Sequence, residues 1–170
     1  MNVHPLFTAV QIQDAVQTTA NKILAYFGSE EPVIALCLLN GAIWYTADLL
    51  RLLPPNFELQ TIRISSYAGS ESTGNLNWHS APPDCAGKRV LVIDDVLDTG
   101  LTLQSLCAEL HKNGASDVIT TVAVNKIGCR KATFEADFYA LECENLFLVG
   151  YGLDFNGKYR NLPYIGYIEK

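Results

Sequence analysis

The sequence predicts an α/β fold, a single domain with a mostly parallel central sheet flanked by helices, and three observations support it. Residues 33–39, 89–93 and 118–124 are short, largely apolar runs of the kind found in strands covered on both faces. Segments with apolar residues at helical spacing fall between them, and strands alternating with helices build parallel sheets through right-handed crossovers. A length of 170 residues with 49% apolar and 18% charged content fits one domain of the usual ~150 residues and excludes a disordered chain.

Ile12, Val16, Ala20, Ile23, Leu24 and Phe27 share one helical face, and Gly28 stops that helix. Val33–Leu39 follows as a buried strand. Gly41 opens a second helical pattern that ends at Pro54-Pro55, and Phe57–Ile64 reads as a strand whose alternation slips phase once. From Ser66 to Lys88 small and polar residues dominate and no periodicity holds; a loop longer than ~12–15 residues is usually a lid or a disordered insertion. Arg89–Ile93 resumes a buried strand. Leu103, Leu106, Cys107 and Leu110 then recur at helical spacing, with His111 and Lys112 in the last turn and Gly114 beyond. Val118–Val124 and Leu146–Val149 complete the strands, and no repeat or linker divides the chain. Ligands of such sheets bind beyond the carboxyl ends of the strands, so the residues after Leu39, Ile93, Val124 and Val149 are the candidates.

Eighteen acidic and twelve basic residues give a net charge of −6, with no run of Lys or Arg, which argues against a nucleic-acid grip. Any phosphate must be held locally. The longest apolar run is seven residues, against the roughly 20 of a membrane span, and MNVHPLF lacks the pattern of a secretion signal. Cys37, Cys85, Cys107, Cys129 and Cys143 are odd in number and scattered, as expected of reduced thiols in the cytoplasm and not of a disulfide framework or zinc site. His4, His79 and His111 lack metal-ligand spacing, and the cluster Lys126, Arg130 and Lys131 is too short for a nucleic-acid patch, so only Lys126 is kept as a candidate.

The chemistry concentrates in RVLVIDDVLDTGLTL, residues 89–103. A buried strand runs into Asp94-Asp95, and Asp98-Thr99-Gly100-Leu101-Thr102 then turns into a helix. Backbone N–H groups at a helix start, with Gly100 allowing close approach and the Thr99 and Thr102 hydroxyls added, suit a phosphate. Paired carboxylates accept hydrogen bonds from a polyol such as ribose, and Asp98 beside the turn is placed to handle a proton. The plainer alternative is a solvated strand end with Thr99 as helix cap.

This segment resembles the phosphoribosyl-pyrophosphate (PRPP) signature of type I phosphoribosyltransferases, and the rest of the chain resembles their hypoxanthine-guanine branch. Leu38-Leu39-Asn40-Gly41 followed by Ala47-Asp48-Leu49-Leu50 is similar to that branch's pyrophosphate loop and next helix. Ser66-Tyr67 and Ser72-Thr73-Gly74 resemble its mobile lid, and residues 149–154 with 159–163 its C-terminal purine region. The resemblance implies one phosphoribosyltransferase domain over 1–170, with 66–88 as lid and 146–170 as purine-recognition region. It implies transfer of phosphoribosyl from PRPP to hypoxanthine or guanine, with Mg²⁺ as cofactor and a homodimer or homotetramer as the assembly.

By the same resemblance, Asp98 is the acid/base near purine N7. Asn40, Gly41, Ser66, Tyr67, Asp94, Asp95, Thr99, Gly100, Leu101, Thr102 and Arg160 hold PRPP. Lys126, Phe147, Leu148 and Asp154 meet the purine, and Asp94, Asp95 and Asp154 face the metal. Lysine donates only, so Lys126 favours a 6-oxo over a 6-amino purine. Two positions depart from the pattern: Asn40 stands where many relatives carry lysine, and Leu101 where some carry a basic residue. Xanthine stays open as the preferred base. A PRPP-sensing regulatory protein of the same fold is the alternative of another class, disfavoured by the presence of Asp98, Lys126 and Asp154.

Overall fold

The computed structural model describes residues 2–66 and 76–169. In chain order the elements are β1 (His4–Phe7), α1 (Ala9–Phe27), β2 (Val33–Leu38), α2 (Ile43–Leu50), β3 (Phe57–Ile62), β4 (Ile64–Ser66), β5 (Leu76–Trp78), β6 (Arg89–Leu97), α3 (Leu101–Lys112), β7 (Asp117–Lys126), β8 (Phe138–Cys143), β9 (Leu148–Val149) and β10 (Ile165–Tyr167). Five strands form the central sheet in the order β3-β2-β6-β7-β8, and every neighbouring pair is parallel. The α/β expectation holds.

Alternation explains the apolar runs. In β2, Val33 and Ala35 pack on one face with Ile12, Val16 and Ile23 of α1 and Leu49 of α2. Ile34, Leu36 and Leu38 pack on the other with Leu103, Leu106 and Leu110 of α3. A strand buried on both sides needs apolar residues at every position, which a half-solvated strand does not. Strand β6 follows the same rule until its alternation slips. Leu91, Ile93 and Val96 share one face, whereas Val90, Val92 and Leu97 share the other. Asp94 and Asp95 occupy the slip, inside the strand and not after it.

The helix ends differ in a way that bears on function. Thr8 and Gln11 close a capping box at the start of α1, and Gly28 ends it, so that helix satisfies its own termini. No side chain caps α2 or α3 at the N-terminus. Both uncapped starts face the carboxyl edge of the sheet.

Three strands escaped the sequence reading. β1 and β10 pair antiparallel, as do β10 and β9; these are segments of two to four residues whose partners lie far away in sequence. β8 is an edge strand, partly exposed on both faces, and its apolar run from Phe138 to Leu141 is cut short by Glu142. Two short strands also lie inside or beside the irregular 66–88 stretch, where β4 pairs antiparallel with β5. Residues 67–75 of the expected lid, including Tyr67, Ser72, Thr73 and Gly74, lie outside the described residues.

One buried polar contact ties helix to sheet: the Tyr45 hydroxyl of α2 and the Thr121 hydroxyl of β7 lie 2.7 Å apart, both residues fully buried. Removing one partner strands the other in a dry core. Tyr45→Phe should therefore lower unfolding free energy by about 1–3 kcal/mol. Urea titration should show a lower midpoint with an unchanged slope; an unchanged midpoint would refute the assignment.

Candidate functional site

All five strands of the central sheet point the same way, so their carboxyl ends gather on one edge. The segment after β2 brings Asn40 and Gly41 there, across a cis peptide between Leu39 and Asn40. Asn40 is exposed and Gly41 buried. A side chain at Gly41 would overlap the Asp95 carboxylate, and one at Gly152 would overlap the Gly41 carbonyl. The chain between β9 and β10 thus closes directly onto this loop, backbone on backbone, with glycine required at position 152, where φ is 98°; Gly41 instead leaves room for the Asp95 carboxylate.

After β6 the chain turns at Gly100, whose φ of 79° belongs to the left-handed region that glycine tolerates. The first helical bond of α3 runs from Gln104 N to Gly100 O at 3.0 Å, which leaves the preceding N–H groups outside the helical ladder. A cavity of about 100 Å³ opens over them, lined by Asp94, Val96, Asp98, Thr99, Gly100 and Thr102 among others. Thr99 lines this cavity and does not cap the helix. An uncapped helix start at the wall of a small polar cavity is a site for an anion.

Asp94 lines this cavity, and the Asp95 carboxylate packs beside it against Gly41. Burial raises the Asp94 carboxyl well above the ordinary carboxylate range, and the adjacent Asp95 charge raises it further. Burial also raises Asp95, while the hydrogen bond with Asp94 and the nearby Arg160 guanidinium act in the opposite direction. Burial thus favours a proton on the pair, and the Asp95 charge directs it to Asp94.

A second cavity of about 790 Å³ adjoins, with Asp98, Lys126, Asn145, Phe147, Tyr167 and Glu169 in its wall. Lys126, the last residue of β7, is 8% exposed, and its Nζ donates to Asp98 Oδ2 at 3.2 Å. The Asp98 side chain is 47% exposed, so one carboxylate serves both cavities. Phe147 meets Phe155 edge-on, ring centres 5.6 Å apart. Leu148 is buried in the β9–β10 pairing opposite Tyr167, outside the residues lining this cavity.

Asp154 and Arg160 also stand apart from that wall. They pair with each other, Arg160 Nη2 to Asp154 Oδ1 at 2.6 Å, and Asp154 Oδ2 accepts the Gly157 N–H at 2.7 Å. Arg160 donates to the Gly152 carbonyl as well. The Tyr151 hydroxyl donates to Asp48 Oδ2 at 2.8 Å and fastens this segment to α2. Leu101 and Thr102 sit in the first turn of α3, and Ser66 ends β4.

Sequence reading set Arg130 aside with the basic cluster, but the structure buries it between the loops after β6 and β7. Its position four residues after Lys126, where a strand leaves the sheet, was the available signal. Val96, Tyr167 and Glu169 were also missed, because nothing local marks them as cavity walls. Among the described residues no helix is long and apolar enough to cross a membrane, and all five cysteines are unbonded.

An anion-binding turn, a carboxylate pair and a lysine-lined cavity on one parallel-sheet edge are the working parts of a phosphoribosyltransferase. The family model for the phosphoribosyl transferase domain matches residues 6–156, and the chain belongs to that family. It is 35% identical to the hypoxanthine-guanine-xanthine phosphoribosyltransferase of Tritrichomonas foetus over 97% of this chain and 91% of the relative. It is 36% identical to the hypoxanthine-guanine phosphoribosyltransferase of Aquifex aeolicus over 93% and 90%. A crystal structure of the hypoxanthine phosphoribosyltransferase of Staphylococcus aureus superposes with a TM-score of 0.92 at 30% identity, covering 98% of this chain and 91% of that one. Within the family, these relatives place the chain in the hypoxanthine-guanine branch.

The raised Asp94 carboxyl fixes the sign of a stability effect. A folded-state value above the unfolded one means that the fold favours the protonated form, so this group's contribution falls as pH rises through the interval between them. Asp94→Asn should unfold at higher urea than wild type near neutral pH. The gap should shrink as pH falls towards the ordinary carboxylate value of about 4. A variant less stable than wild type at pH 7 would contradict this assignment.

Proposed function

We propose that the chain transfers the 5-phosphoribosyl group of PRPP to hypoxanthine or guanine, giving the nucleoside monophosphate and pyrophosphate. The observation that carries this reading is the shared position of Asp98. Its carboxylate faces the anion-binding turn on one side and the base cavity on the other, with Lys126 at 3.2 Å. A reaction that joins a sugar phosphate to a base needs a proton acceptor at that junction.

In this reading the N–H groups of residues 99–102 and the two threonine hydroxyls hold the 5′-phosphate, and Asp94 and Asp95 orient the ribose hydroxyls. Lys126 donates to the oxygen at purine C6. Asp98 takes the proton at N7 while N9 displaces pyrophosphate from ribose C1 with inversion, the positive charge on the sugar being balanced by the neighbouring carboxylates. Phe147 stacks on the purine and the Leu148 backbone meets its edge. Arg160, with Asn40 and Gly41, receives the pyrophosphate, and a cover formed by the 66–88 stretch, with Ser66 and Tyr67, would exclude water from the reactive carbon.

Mg²⁺ suits the oxygen donors Asp94, Asp95 and Asp154. No group of three potential ligands converges among the described residues, which accords with an ion held by one or two carboxylates together with substrate oxygens. When bound, it supplies charge neutralisation to the pyrophosphate leaving group. The proposed setting is the cytoplasm, supported by five free thiols, and the proposed assembly is a homodimer or homotetramer, supported by the family resemblance.

Assays with PRPP and Mg²⁺ across hypoxanthine, guanine, xanthine and adenine test the reading. Wild type should use 6-oxopurines and neglect adenine. Asp98→Asn should lose kcat by about 10²–10⁴-fold, the usual range for a general acid/base, with little change in PRPP affinity. Lys126→Met should narrow the preference for hypoxanthine over adenine by about tenfold or more, one hydrogen bond from a charged donor being worth ~1.5–3 kcal/mol. Wild type that binds PRPP but transfers to no base would instead favour the regulatory alternative.

A further inference from the structure

Strands β6 and β7 pair in parallel up to Leu97 opposite Asn125. Beyond that point they separate, Asp98 entering the phosphate turn and Lys126 ending its strand. Carbonyls at such a fork have lost their ladder partners and need donors. Two neighbouring side chains supply them: Cys129 Sγ donates to the Asp98 carbonyl at 3.4 Å and the Lys126 carbonyl at 3.6 Å, and Arg130 makes the shorter contacts. Arg130 Nη1 donates to the Leu97 carbonyl at 3.0 Å, the Asp98 carbonyl at 2.6 Å and the Lys126 carbonyl at 2.9 Å. Arg130 Nη2 donates to Asn125 Oδ1 and to Glu135 Oε2 at 3.3 Å. The side chain is 16% exposed.

We propose that Arg130 is a positioning residue: by holding the main chain of Asp98 and of Lys126 on one guanidinium, it sets the spacing between proton acceptor and 6-oxo reader. The proposal rests on the transfer reaction proposed above. It also explains why arginine stands there. A planar fork with fixed donors can span three carbonyls and an amide, whereas an ammonium is a point charge on a flexible stem. Burial raises the value of each contact, because no water replaces a lost donor.

The phosphate turn has separate support. Lys131 N and Ala132 N donate to the Thr99 carbonyl at 2.9 and 3.0 Å, and both are main-chain bonds. Loss of the Arg130 side chain should therefore disturb the Asp98–Lys126 pair far more than the phosphate site.

The test compares wild type, Arg130→Met and Arg130→Lys, with rates expressed per active site from PRPP calorimetry. Arg130→Met should lower kcat/KM for hypoxanthine by about 100-fold, the scale of a misplacement near 1 Å, and Arg130→Lys by about tenfold, one carbonyl contact being regained for ~1–1.5 kcal/mol. The hypoxanthine-over-adenine ratio should contract in both, and PRPP Kd should stay within about threefold, since the phosphate turn is held by its own main-chain bonds. A purely structural role would lower Tm and leave both kcat/KM per site and base preference at wild-type values; that result in either folded variant overturns the proposal. Should Arg130→Met not fold, Arg130→Lys decides by the same readouts. Absence of transfer in wild type would sink the reaction itself, a different outcome from variants that match an active wild type.

Discussion

The site depends on the parting of β6 from β7. Up to that fork the two strands satisfy each other's backbone, and their side chains alternate between two apolar layers. At the fork the ladder stops, and every main-chain group must find another partner, protein or ligand. Some are assigned to protein: Arg130 takes the carbonyls of Leu97, Asp98 and Lys126, and Lys131 and Ala132 take that of Thr99. The N–H groups at the start of α3 receive no capping side chain. Acceptors are bound internally and donors are left over, so the edge is electrostatically a receptor for anions.

The acid pair belongs to the same constraint. Asp94 and Asp95 sit where the alternation of β6 slips, Asp94 in the wall of the cavity over the turn and Asp95 against Gly41. Their placement costs stability, since burial opposes the ionisation of both and the Asp95 charge opposes that of Asp94. A fold selected for stability alone would not put them there. Strain of this kind at an otherwise apolar strand end marks a site whose charge is wanted by a ligand.

Much of this was legible in the sequence because it follows local rules. The doubly buried strands show as continuous apolar runs, α3 shows in the spacing of Leu103, Leu106 and Leu110, and the phosphate turn shows in an acid-rich segment opening a helix. What stayed hidden depends on distant partners. β1 and β10 are too short to carry a pattern and exist through pairing with each other. Arg130 looks like a surface cation until β6 and β7 are laid side by side. Gly152 shows its purpose only when two loops far apart in sequence are seen to touch, and Gly41 only when the Asp95 carboxylate is seen against it.

Charge at this edge is economical. The protein carries a net −6, and the cations named at the site are already engaged: Lys126 with Asp98, Arg160 with Asp154, Arg130 with carbonyls and Asn125. Asn40 is neutral and adds none. Among these three cations a polyanion therefore meets no unpaired charge; each new contact with them is made by exchanging an existing partner, and only the difference between the two contributes to binding. Backbone N–H groups escape this limit, because they are neutral and need no carboxylate to hold them in place. That asymmetry makes the uncapped start of α3 the donor set that an anion can reach without displacing an ion-pair partner, whereas Arg160 would first have to leave Asp154.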